Sequence, residues 1–480
     1  RCRGILIATG DGEHDVTLKY GVVALARTTC DMEFAEETKN KAFAALDTAG
    51  IETAGPRTLA CDTEQAEAAL AEIARHGDLD LLLILQVTFT DATMTIEMAR
   101  QSVVPVAIWG VPEPRIGGRL RLNAYCGINL AAHALGKAGL QYRWLFSSPD
   151  ATDISEKLTA LASQEHSAPL SAERIEPGAD LAADRVVEKL AKARVCVIGE
   201  HPAGFDTCEY DASDLNDLTG ISVDRVNLED AFEKARSASA ERASPHRSEA
   251  ATSLAGLDDV DQEQLERSFR LLCALEDIAD ENKADSIAVR CWPETFVDYG
   301  CAACGPMAMM NQAGVPSACE ADVYGSVTTL MLQELAGEPV WMADLVDVDE
   351  SDDTAVLWHC GLAPLSMCDP EAQAEATIHT NRKMPLLHQF PLKPGRITLA
   401  RLSQAKNEKK LMLAAAEVLR APMAFTGTSG VVRFDRPMAE VCSTIMEEGL
   451  EHHFSLAYGD HVDSLRQIAS RLNLPVLQIA

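Results

Sequence analysis

Short apolar runs alternate with amphipathic segments through the first third of the chain. The apolar runs predict strands at Ile5–Ala8, Leu81–Leu85, Val104–Trp109 and Tyr142–Phe146. Between them, apolar residues recur every three or four positions and predict helices at Ala35–Ala49, Asp91–Gln101 and Asn129–Ala138. The runs are apolar throughout, as in a parallel sheet that is covered on both faces. The alternation predicts a doubly wound, Rossmann-like α/β domain over residues 1–165.

A second unit of the same type begins with an apolar strand that runs into a glycine turn, Arg194–Gly199. Further strands are predicted at Ser286–Trp292 and Val315–Cys319, and helices at Leu265–Ile278, Cys304–Gln312 and Val323–Leu335. Residues 237–253 are rich in Ser, Ala, Glu and Arg, which favours an exposed loop or a polar surface helix. The pattern predicts a second Rossmann-like α/β domain over residues 166–337.

Beyond Pro339 the pattern changes to short β-type runs separated by glycine and proline. Strands are predicted at Val340–Leu345, Thr354–His359, Arg396–Leu402 and Gly430–Phe434. A clear helical pattern returns only at Asp460–Leu472. Residues 338–480 are therefore expected to form a β-rich, barrel-like C-terminal domain.

Composition narrows the classes of function. The formal net charge is -31, from 73 acidic and 42 basic residues, so phosphate backbones and anionic membranes are repelled and nucleic-acid binding is not expected. No apolar run reaches the roughly 18 residues that a membrane-spanning helix needs. Arg1–Gly4 leads directly into an apolar run, so we expect no signal peptide. Fourteen cysteines without disulfide-framework spacing are typical of reduced thiols, which favours the cytoplasm.

Three polar residues follow apolar runs in the region from Gly314 to Gly361. Glu320 comes after a predicted buried strand, Asp344 after the run that begins at Val340, and His359 after the run that ends at Trp358. Ligands bind at the carboxyl ends of strands in open α/β sheets, so the three side chains could converge on one cation. Taken singly, each residue could instead be a helix cap or a turn residue.

Two further pairs carry potential chemistry. His452 and His453 precede an apolar strand, which puts one imidazole on each face, and either could be a metal ligand or a core residue. Cys301 and Cys304 form a CxxC motif, but no second CxxC completes a zinc site and no thioredoxin-like context surrounds it. Buried structural thiols are the preferred interpretation. No dinucleotide or Walker motif is present, so nucleotide binding is unsupported.

Several segments together resemble the L-fucose isomerase/L-arabinose isomerase superfamily, in particular its shorter fucose isomerase-like branch. The resemblance touches all three predicted domains, which is the domain order of that superfamily. It is carried by Trp109–Pro114, Gly118–Gly127, Gly314–Asp322, Leu332–Gly337, Trp341–Asp344, Trp358–Gly361, His452–His453 and Gly459–Asp460.

The resemblance implies an enzyme that holds one Mn²⁺, or another divalent ion such as Mg²⁺ or Co²⁺. Glu320 and Asp344 match the two carboxylate ligands, and His453 matches the histidine, with His452 as its rival. His359 matches a fourth ligand of the arabinose isomerase branch. The superfamily forms hexamers or trimers in which a neighbour's first domain closes each site. A homo-oligomer is therefore implied, with substrate contacts from the residues Trp109 and Asn123 of a neighbouring subunit.

The implied reaction is aldose–ketose isomerisation of an open-chain sugar through a metal-stabilised enediolate, because a divalent ion polarises the substrate oxygens. Glu320 and Asp344 share the acid and base roles. L-Fucose, D-arabinose, L-arabinose and a sulfonated or deoxy hexose such as sulfoquinovose all remain open. Arginine and lysine side chains could meet an anionic sugar or simply be solvated, namely Arg115, Arg119, Arg382 and Lys383. The alternatives are a non-catalytic sugar-binding protein and a thiol redox enzyme using Cys301 and Cys304.

Overall fold

The computed structural model describes residues 17–163 and 170–480, so the strand predicted at Ile5–Ala8 lies outside the described residues. The first sheet is parallel, in the order β2-β1-β4-β5-β6, with β3 also paired to β1. Its strands are β1 (Lys19–Leu25), β2 (Glu52–Ala54), β3 (Leu59–Ala60), β4 (Leu81–Gln86), β5 (Val106–Gly110) and β6 (Arg143–Phe146). Its helices are α1 (Met32–Thr48), α2 (Thr63–Ile73), α3 (Thr93–Gln101), α4 (Ala124–Lys137) and α5 (Ile154–Ala160).

Alternate side chains of this sheet are buried on opposite faces. On β1, Tyr20 and Val22 pack into one apolar cluster, whereas Val23 and Leu25 pack into the other. Because successive side chains of a strand point to opposite faces, a strand with both faces covered must be apolar throughout. This explains why the central strands are visible as uninterrupted apolar runs in the sequence.

The second sheet is also parallel, in the order β10-β9-β7-β8. Its strands are β7 (Arg194–Ile198), β8 (Ser222–Val226), β9 (Ser286–Val289) and β10 (Ser317–Ala318). Its helices are α6 (Leu181–Leu190), α7 (Ala212–Thr219), α8 (Leu228–Ser237), α9 (Ala240–Ser253), α10 (Gln262–Asn282), α11 (Cys304–Gln312) and α12 (Val323–Ala336). The polar stretch at 237–253 is thus a surface helix, α9, rather than a loop.

The remaining chain forms a β-rich, mainly antiparallel sheet. Its strands are β11 (Trp341–Asp349), β12 (Thr354–His359), β13 (Glu375–Thr377), β14 (Leu387–Pro391), β15 (Gly395–Ser403), β16 (Lys410–Leu419), β17 (Thr428–Phe434), β18 (His453–Tyr458) and β19 (Val476–Gln478). Two helices accompany them, α13 (Met438–Glu448) and α14 (Val462–Arg471). The path β17-β12-β11-β18-β15-β16 returns to its start because β16 also pairs with β17, which closes a ring of strands.

The two parallel sheets and the β-rich C-terminal sheet confirm the predicted mixture of α/β and β structure. The division into domains at residues 165 and 337 stays a prediction. One local expectation is wrong. Asp344 does not end a strand, because β11 continues to Asp349 with a bulge after Leu345. Within residues 17–163 and 170–480, no helix combines the length and the apolar character needed to cross a membrane.

Candidate active site

Glu320 lies in the tight turn between β10 and α12. Its backbone φ is +58° and that of Ala321 is +52°, a left-handed conformation that side chains other than glycine rarely adopt. Asp322 ends the turn and caps α12 by accepting the backbone N–H of Gly325 at 2.8 Å. Strain of this kind persists only where the surroundings impose it, and it concentrates at functional sites. The turn aims the Glu320 carboxylate back toward the β-rich sheet.

Asp344 and His453 face each other across two neighbouring antiparallel strands. Residue 344 on β11 is the direct partner of residue 453 on β18, so the two side chains leave the sheet on the same face. Glu320 reaches this pair from the second sheet. The His453 Nε2 atom lies 3.6 Å from Glu320 Oε2 and 3.5 Å from Asp344 Oδ1. One nitrogen and two carboxylate oxygens therefore converge from three separate parts of the chain.

These three residues could hold a divalent cation, as could Glu320 with His452 and His453, whose ligand atoms all lie within 4.8 Å of one another. Asp344 Oδ1 is buried and has no hydrogen-bond partner among the described residues, which is costly unless something else satisfies it. Imidazole nitrogen with carboxylate oxygens suits ions such as Mn²⁺, and metal-ligating imidazoles commonly bind a carboxylate through their other nitrogen. His453 does so, because its Nδ1 lies 2.9 Å from Asp322 Oδ2. The donor set and the unpartnered oxygen both match a metal centre.

The two carboxylates have different electrostatic surroundings. Burial raises the pKa of Asp344 to about 7, and the charge of Glu320 adds to that effect against the opposing charge of His453. Burial also raises the pKa of Glu320, but the hydrogen bond from His452 and the charges of His452 and His453 outweigh it and lower the pKa to about 2. Glu320 is therefore anionic near neutral pH, whereas Asp344 can still hold a proton.

The other two predicted histidines border the same centre. The His452 Nε2 atom lies 3.0 Å from Glu320 Oε2, and its Nδ1 has no partner among the described residues. His359 ends β12, where its Nδ1 accepts the N–H of Cys360 and its Nε2 lies 2.9 Å from the sulfur of Cys319. Both ring nitrogens of His359 are thus engaged, so it could bind a metal only by giving up one of these contacts.

A cavity of about 880 Å³, including the part that opens to solvent, adjoins Glu320 and Asp344. The first α/β unit of the same chain supplies part of its wall, including Arg27 and Asn123. Asn123 has a φ of +52°, and its backbone N–H is held at 2.8 Å by the buried carboxylate of Glu113. The chain's own first unit thus forms part of this wall, and a contribution from a neighbouring subunit stays a prediction.

Trp109 is not in the cavity. Its side chain is fully buried in the core of the first unit, and its indole N–H donates to the carbonyl of Ser147 at 3.0 Å. A side chain enclosed in this way cannot contact a substrate, whether in its own subunit or in a neighbour. The sequence suggested a binding role because Trp109 is the first residue of a segment, Trp109–Pro114, that carries the family resemblance. Its position on the apolar strand β5 is what decides its role in packing.

Two arginines line the cavity around an aromatic wall. The Arg27 guanidinium carbon lies 4.9 Å from the centre of the Trp292 ring, and that of Arg382 lies 5.8 Å from it. Arg27 is paired with Asp91 at 2.7 Å, whereas Arg382 has no acidic partner within residues 17–163 and 170–480. Burial lowers the pKa of Arg382, and the nearby charge of Arg27 lowers it further. The cavity thus presents a positive charge that is free to meet an anion.

Of the other three basic residues considered from the sequence, Lys383 is exposed and the two arginines are engaged elsewhere. Arg115 forms an ion pair with Asp347 at 2.5 Å, and Arg119 donates to the side-chain oxygen of Asn381 at 2.7 Å. Arg27 was not singled out from the sequence, because it follows β1 without any recognisable motif. Only its position at the carboxyl end of a central parallel strand could have indicated it.

The first thiol of the CxxC motif, Cys301, is unsuited to redox catalysis. Cys301 and Cys304 are both free and buried. Burial raises the pKa of the Cys301 thiol to about 12, so it stays protonated at neutral pH. Because the thiolate is the reactive form of cysteine, a buried protonated thiol is inert. Cys304 begins α11 and borders the cavity, and the structural role of the two thiols stays a prediction.

Comparison with known proteins identifies the family. Residues 21–164 match the family model for the fucose/sulfoquinovose isomerase N-terminal domain. The chain is 30% identical over 425 residues to the sulfoquinovose isomerase of Alkalicoccus urumqiensis, covering 88% of this chain and 91% of that protein. It is 28% identical over 453 residues to the sulfoquinovose isomerase of Priestia aryabhattai, covering 94% of this chain and 97% of that protein.

A more distant likeness adds nothing to this. A solute binding protein of an ABC transporter from Agrobacterium vitis aligns with 67% of this chain and 90% of its own, at 12% identity and a TM-score of 0.17, which is too low to relate the two folds. The curated relatives, by contrast, match along nearly their whole length and are all isomerases, so the alternative of a non-catalytic sugar-binding protein is set aside. The chain belongs to the fucose/sulfoquinovose isomerase family and is an isomerase.

Proposed function

We propose that this enzyme interconverts an aldose and a ketose, and that its substrate is a sulfonated hexose such as sulfoquinovose. The position of His453 Nε2, which lies 3.6 Å from Glu320 Oε2 and 3.5 Å from the unpartnered Asp344 Oδ1, carries the proposal. These three residues would hold a divalent ion, with Mn²⁺ as the first candidate. Such an ion supplies Lewis-acid polarisation of the sugar oxygens and stabilises the charge of an enediolate.

The chain's own groups would move the proton. Isomerisation moves the C2 proton of the aldose to C1 and the O2 hydroxyl proton to O1, which needs a base and an acid beside these atoms. Glu320 and Asp344 lie beside the cavity, and their surroundings push their pKa values in opposite directions, to about 2 and about 7. We assign the two roles jointly to this pair. His452 would keep the Glu320 carboxylate in place through its hydrogen bond at 3.0 Å.

The test of the reaction uses the purified protein with and without metal. The enzyme is treated with EDTA, supplied with Mn²⁺, and incubated with sulfoquinovose while NMR follows the appearance of the ketose. We expect Glu320→Gln and Asp344→Asn to lose turnover and keep the fold, and Asp349→Asn, at the far end of β11, to behave as the wild type. Near-normal turnover of either active-site variant in Mn²⁺ would contradict the assignment.

The preference for a sulfonated sugar rests on Arg382. Its guanidinium lines the cavity, stacks near Trp292 and Phe296, and lacks an acidic partner within the described parts of the chain. A sulfonate can accept charge-assisted hydrogen bonds from an arginine, each worth about 1.5–3 kcal/mol. In a protein whose net charge is -31, an anionic substrate needs such a local positive charge to enter.

A substrate panel tests this preference. Sulfoquinovose is compared with D-glucose, L-fucose, D-arabinose and L-arabinose. We expect Arg382→Met to reduce kcat/KM for sulfoquinovose by roughly 10- to 100-fold, which corresponds to the loss of one charged hydrogen bond, and to leave any turnover of neutral sugars within a few fold. Arg433→Met, at an exposed site on β17, serves as the control. An equal loss for sulfonated and neutral sugars would show that Arg382 only shapes the wall.

We also propose that the enzyme acts as a homo-oligomer, trimeric or hexameric, in the cytoplasm. The oligomer rests on the resemblance to the superfamily, and the cytoplasmic location on the number and spacing of the cysteines. Light scattering coupled to size-exclusion chromatography measures the assembly directly. A monomer that retains full turnover would contradict the oligomeric part of the proposal without affecting the chemistry.

A further inference from the structure

Behind His453 lies a buried ion pair that the reaction described above does not use. Asp322 and Arg401 are each only 1% exposed in their side chains, and they are joined through both carboxylate oxygens, at 2.5 Å to Nη1 and 3.1 Å to Nη2. Arg401 also donates from Nη2 to the carbonyl of Thr207 at 3.1 Å. Three elements meet here, because Asp322 precedes α12, Arg401 lies on β15 and His453 begins β18.

Stability alone does not explain this pair. Two charges lose their hydration when they are buried, and well-packed apolar residues of similar size often serve a fold as well or better. The helix cap does not explain it either. Asp322 caps α12 by accepting the N–H of Gly325, but Asn, Ser or Thr would cap as well without needing a buried arginine. The charge of Asp322 therefore has another use, and besides Arg401 its carboxylate makes a side-chain hydrogen bond with His453 at 2.9 Å.

We infer that Asp322 is a positioning residue that holds the His453 ring for metal binding, and that Arg401 keeps Asp322 charged and in place. The inference rests on the proposed function, because it assumes the metal centre described above. The His453 Nδ1–H donates to Asp322 Oδ2 at 2.9 Å, so the other ring nitrogen, Nε2, which faces Glu320 and Asp344, is the one left for a metal. A carboxylate behind a histidine fixes the tautomer and makes the ring a stronger ligand.

The hydrogen-bond contacts also distinguish the roles of the adjacent residues His452 and His453. His452 has no carboxylate behind it, because its Nδ1 lacks a partner among the described residues. Its Nε2 is already bound to Glu320 Oε2 at 3.0 Å. Only His453 has one nitrogen fixed by a buried anion and the other directed at both Glu320 and Asp344. The structure thus assigns the ligand role to His453 and leaves His452 to orient Glu320.

The experiment measures Mn²⁺ affinity directly, by the EPR signal of free Mn²⁺ in a titration of EDTA-treated protein. Asp322→Asn keeps the size and the helix cap but removes the charge. We expect its Mn²⁺ dissociation constant to rise by roughly 10- to 100-fold, with kcat falling at subsaturating metal and recovering in part at high Mn²⁺. Asp261→Asn, at the N-terminus of α10, is the matched control because Asp261 also caps a helix, and its affinity should stay unchanged.

A second variant covers the case in which Asp322→Asn does not fold. Arg401→Lys keeps the positive charge but cannot grip both oxygens, so we expect the fold to survive and Mn²⁺ to bind at least several fold more weakly. A folded variant of either kind whose dissociation constant stays within twofold of the wild type overturns the inference. Failure of the proposed function looks different, because the wild-type protein itself would then bind no Mn²⁺ or show no isomerase activity.

Discussion

Replacing Asp344 by asparagine should make the metal-free protein more stable while it removes the response to metal. The Asp344 side chain is 11% exposed, and its Oδ1 has no partner among the described residues. Burial, together with the charges of Glu320 and Asp322, raises its pKa from 3.8 to about 7. In the absence of metal, the ionised carboxylate is therefore a cost to the folded state, and a neutral amide of the same shape removes that cost.

The magnitude follows from the pKa. An increase from 3.8 to about 7, at about 1.4 kcal/mol per pKa unit, corresponds to about 4 kcal/mol of lost stability at pH 8. Because the folded-state pKa is the raised one, the carboxyl group costs nothing below pH ~4, and its cost grows up to pH ~7 and is constant above. At pH 5 the same two values leave about 2 kcal/mol.

The assay is thermal unfolding of wild type and Asp344→Asn in EDTA at pH 8 and pH 5. For 480 residues the unfolding entropy is about 1 kcal/mol/K, so the variant should unfold about 4 °C higher at pH 8 and about 2 °C higher at pH 5. Addition of Mn²⁺ at 100 times its dissociation constant should then stabilise the wild type by about 2.7 kcal/mol and the variant hardly at all. Asp349→Asn, at the end of the same strand, should show neither effect.

Two results would refute this reasoning. If Asp344→Asn unfolds below the wild type in EDTA at pH 8, the carboxylate stabilises the metal-free fold and its raised pKa is wrong. If the variant gains as much from Mn²⁺ as the wild type does, Asp344 is not a ligand. A gain in stability that is equal at pH 5 and pH 8 would point to packing instead of ionisation.

Three further predictions concern the metal, the thiols and the backbone. Removal of divalent ions with EDTA should abolish turnover, and Mn²⁺ should restore it with one ion per chain; activity that survives in chelated, metal-analysed protein would contradict the metal centre. Cys301→Ser should keep wild-type turnover, since its buried thiol stays protonated; a loss of turnover with the fold intact would revive the redox alternative. Gly361→Ala should destabilise the fold by more than about 1 kcal/mol and lower turnover, because φ is +115° and a Cβ would lie 2.7 Å from the backbone nitrogen of His388 beside the end of β12. Unchanged chemical denaturation of that variant would show that the loop adjusts.

The sequence predicts those parts of the fold that one segment determines. β12 and α11 have the same limits in the structure as in the prediction. The interior of β12 is an uninterrupted apolar run, and the sequence marks both ends of the helix α11 clearly. β1 and α2 were missed. β1 begins with a half-buried lysine next to a long polar stretch, and α2 is rich in alanine, which gives a weak apolar period. Whether these two segments form a strand or a helix depends on the elements that pack against them.

The site likewise contains residues that the sequence can identify and spatial relations that it cannot. Glu320 is recognisable because a buried strand ends just before it, and His452 and His453 are recognisable as an adjacent pair. Asp344 was selected because it was expected to end a strand, and this expectation is wrong, since it lies within β11. What matters is that its strand neighbour is His453, and strand pairing across more than a hundred residues is invisible in one sequence.

Groups that act through a partner are the ones that sequence reasoning cannot weigh. Arg401 lies in the largely apolar strand β15, where the sequence alone favours an exposed position for an arginine, yet it is among the largest fully buried side chains of the described chain. Its meaning depends on Asp322, 79 positions earlier, and that of Asp322 on His453, 131 positions later. A buried charge is tolerated only where it is paired, so each of these residues requires the others. The proposed metal centre would therefore extend beyond the residues that touch the ion, and its charge balance would depend on Arg401, which no motif marks.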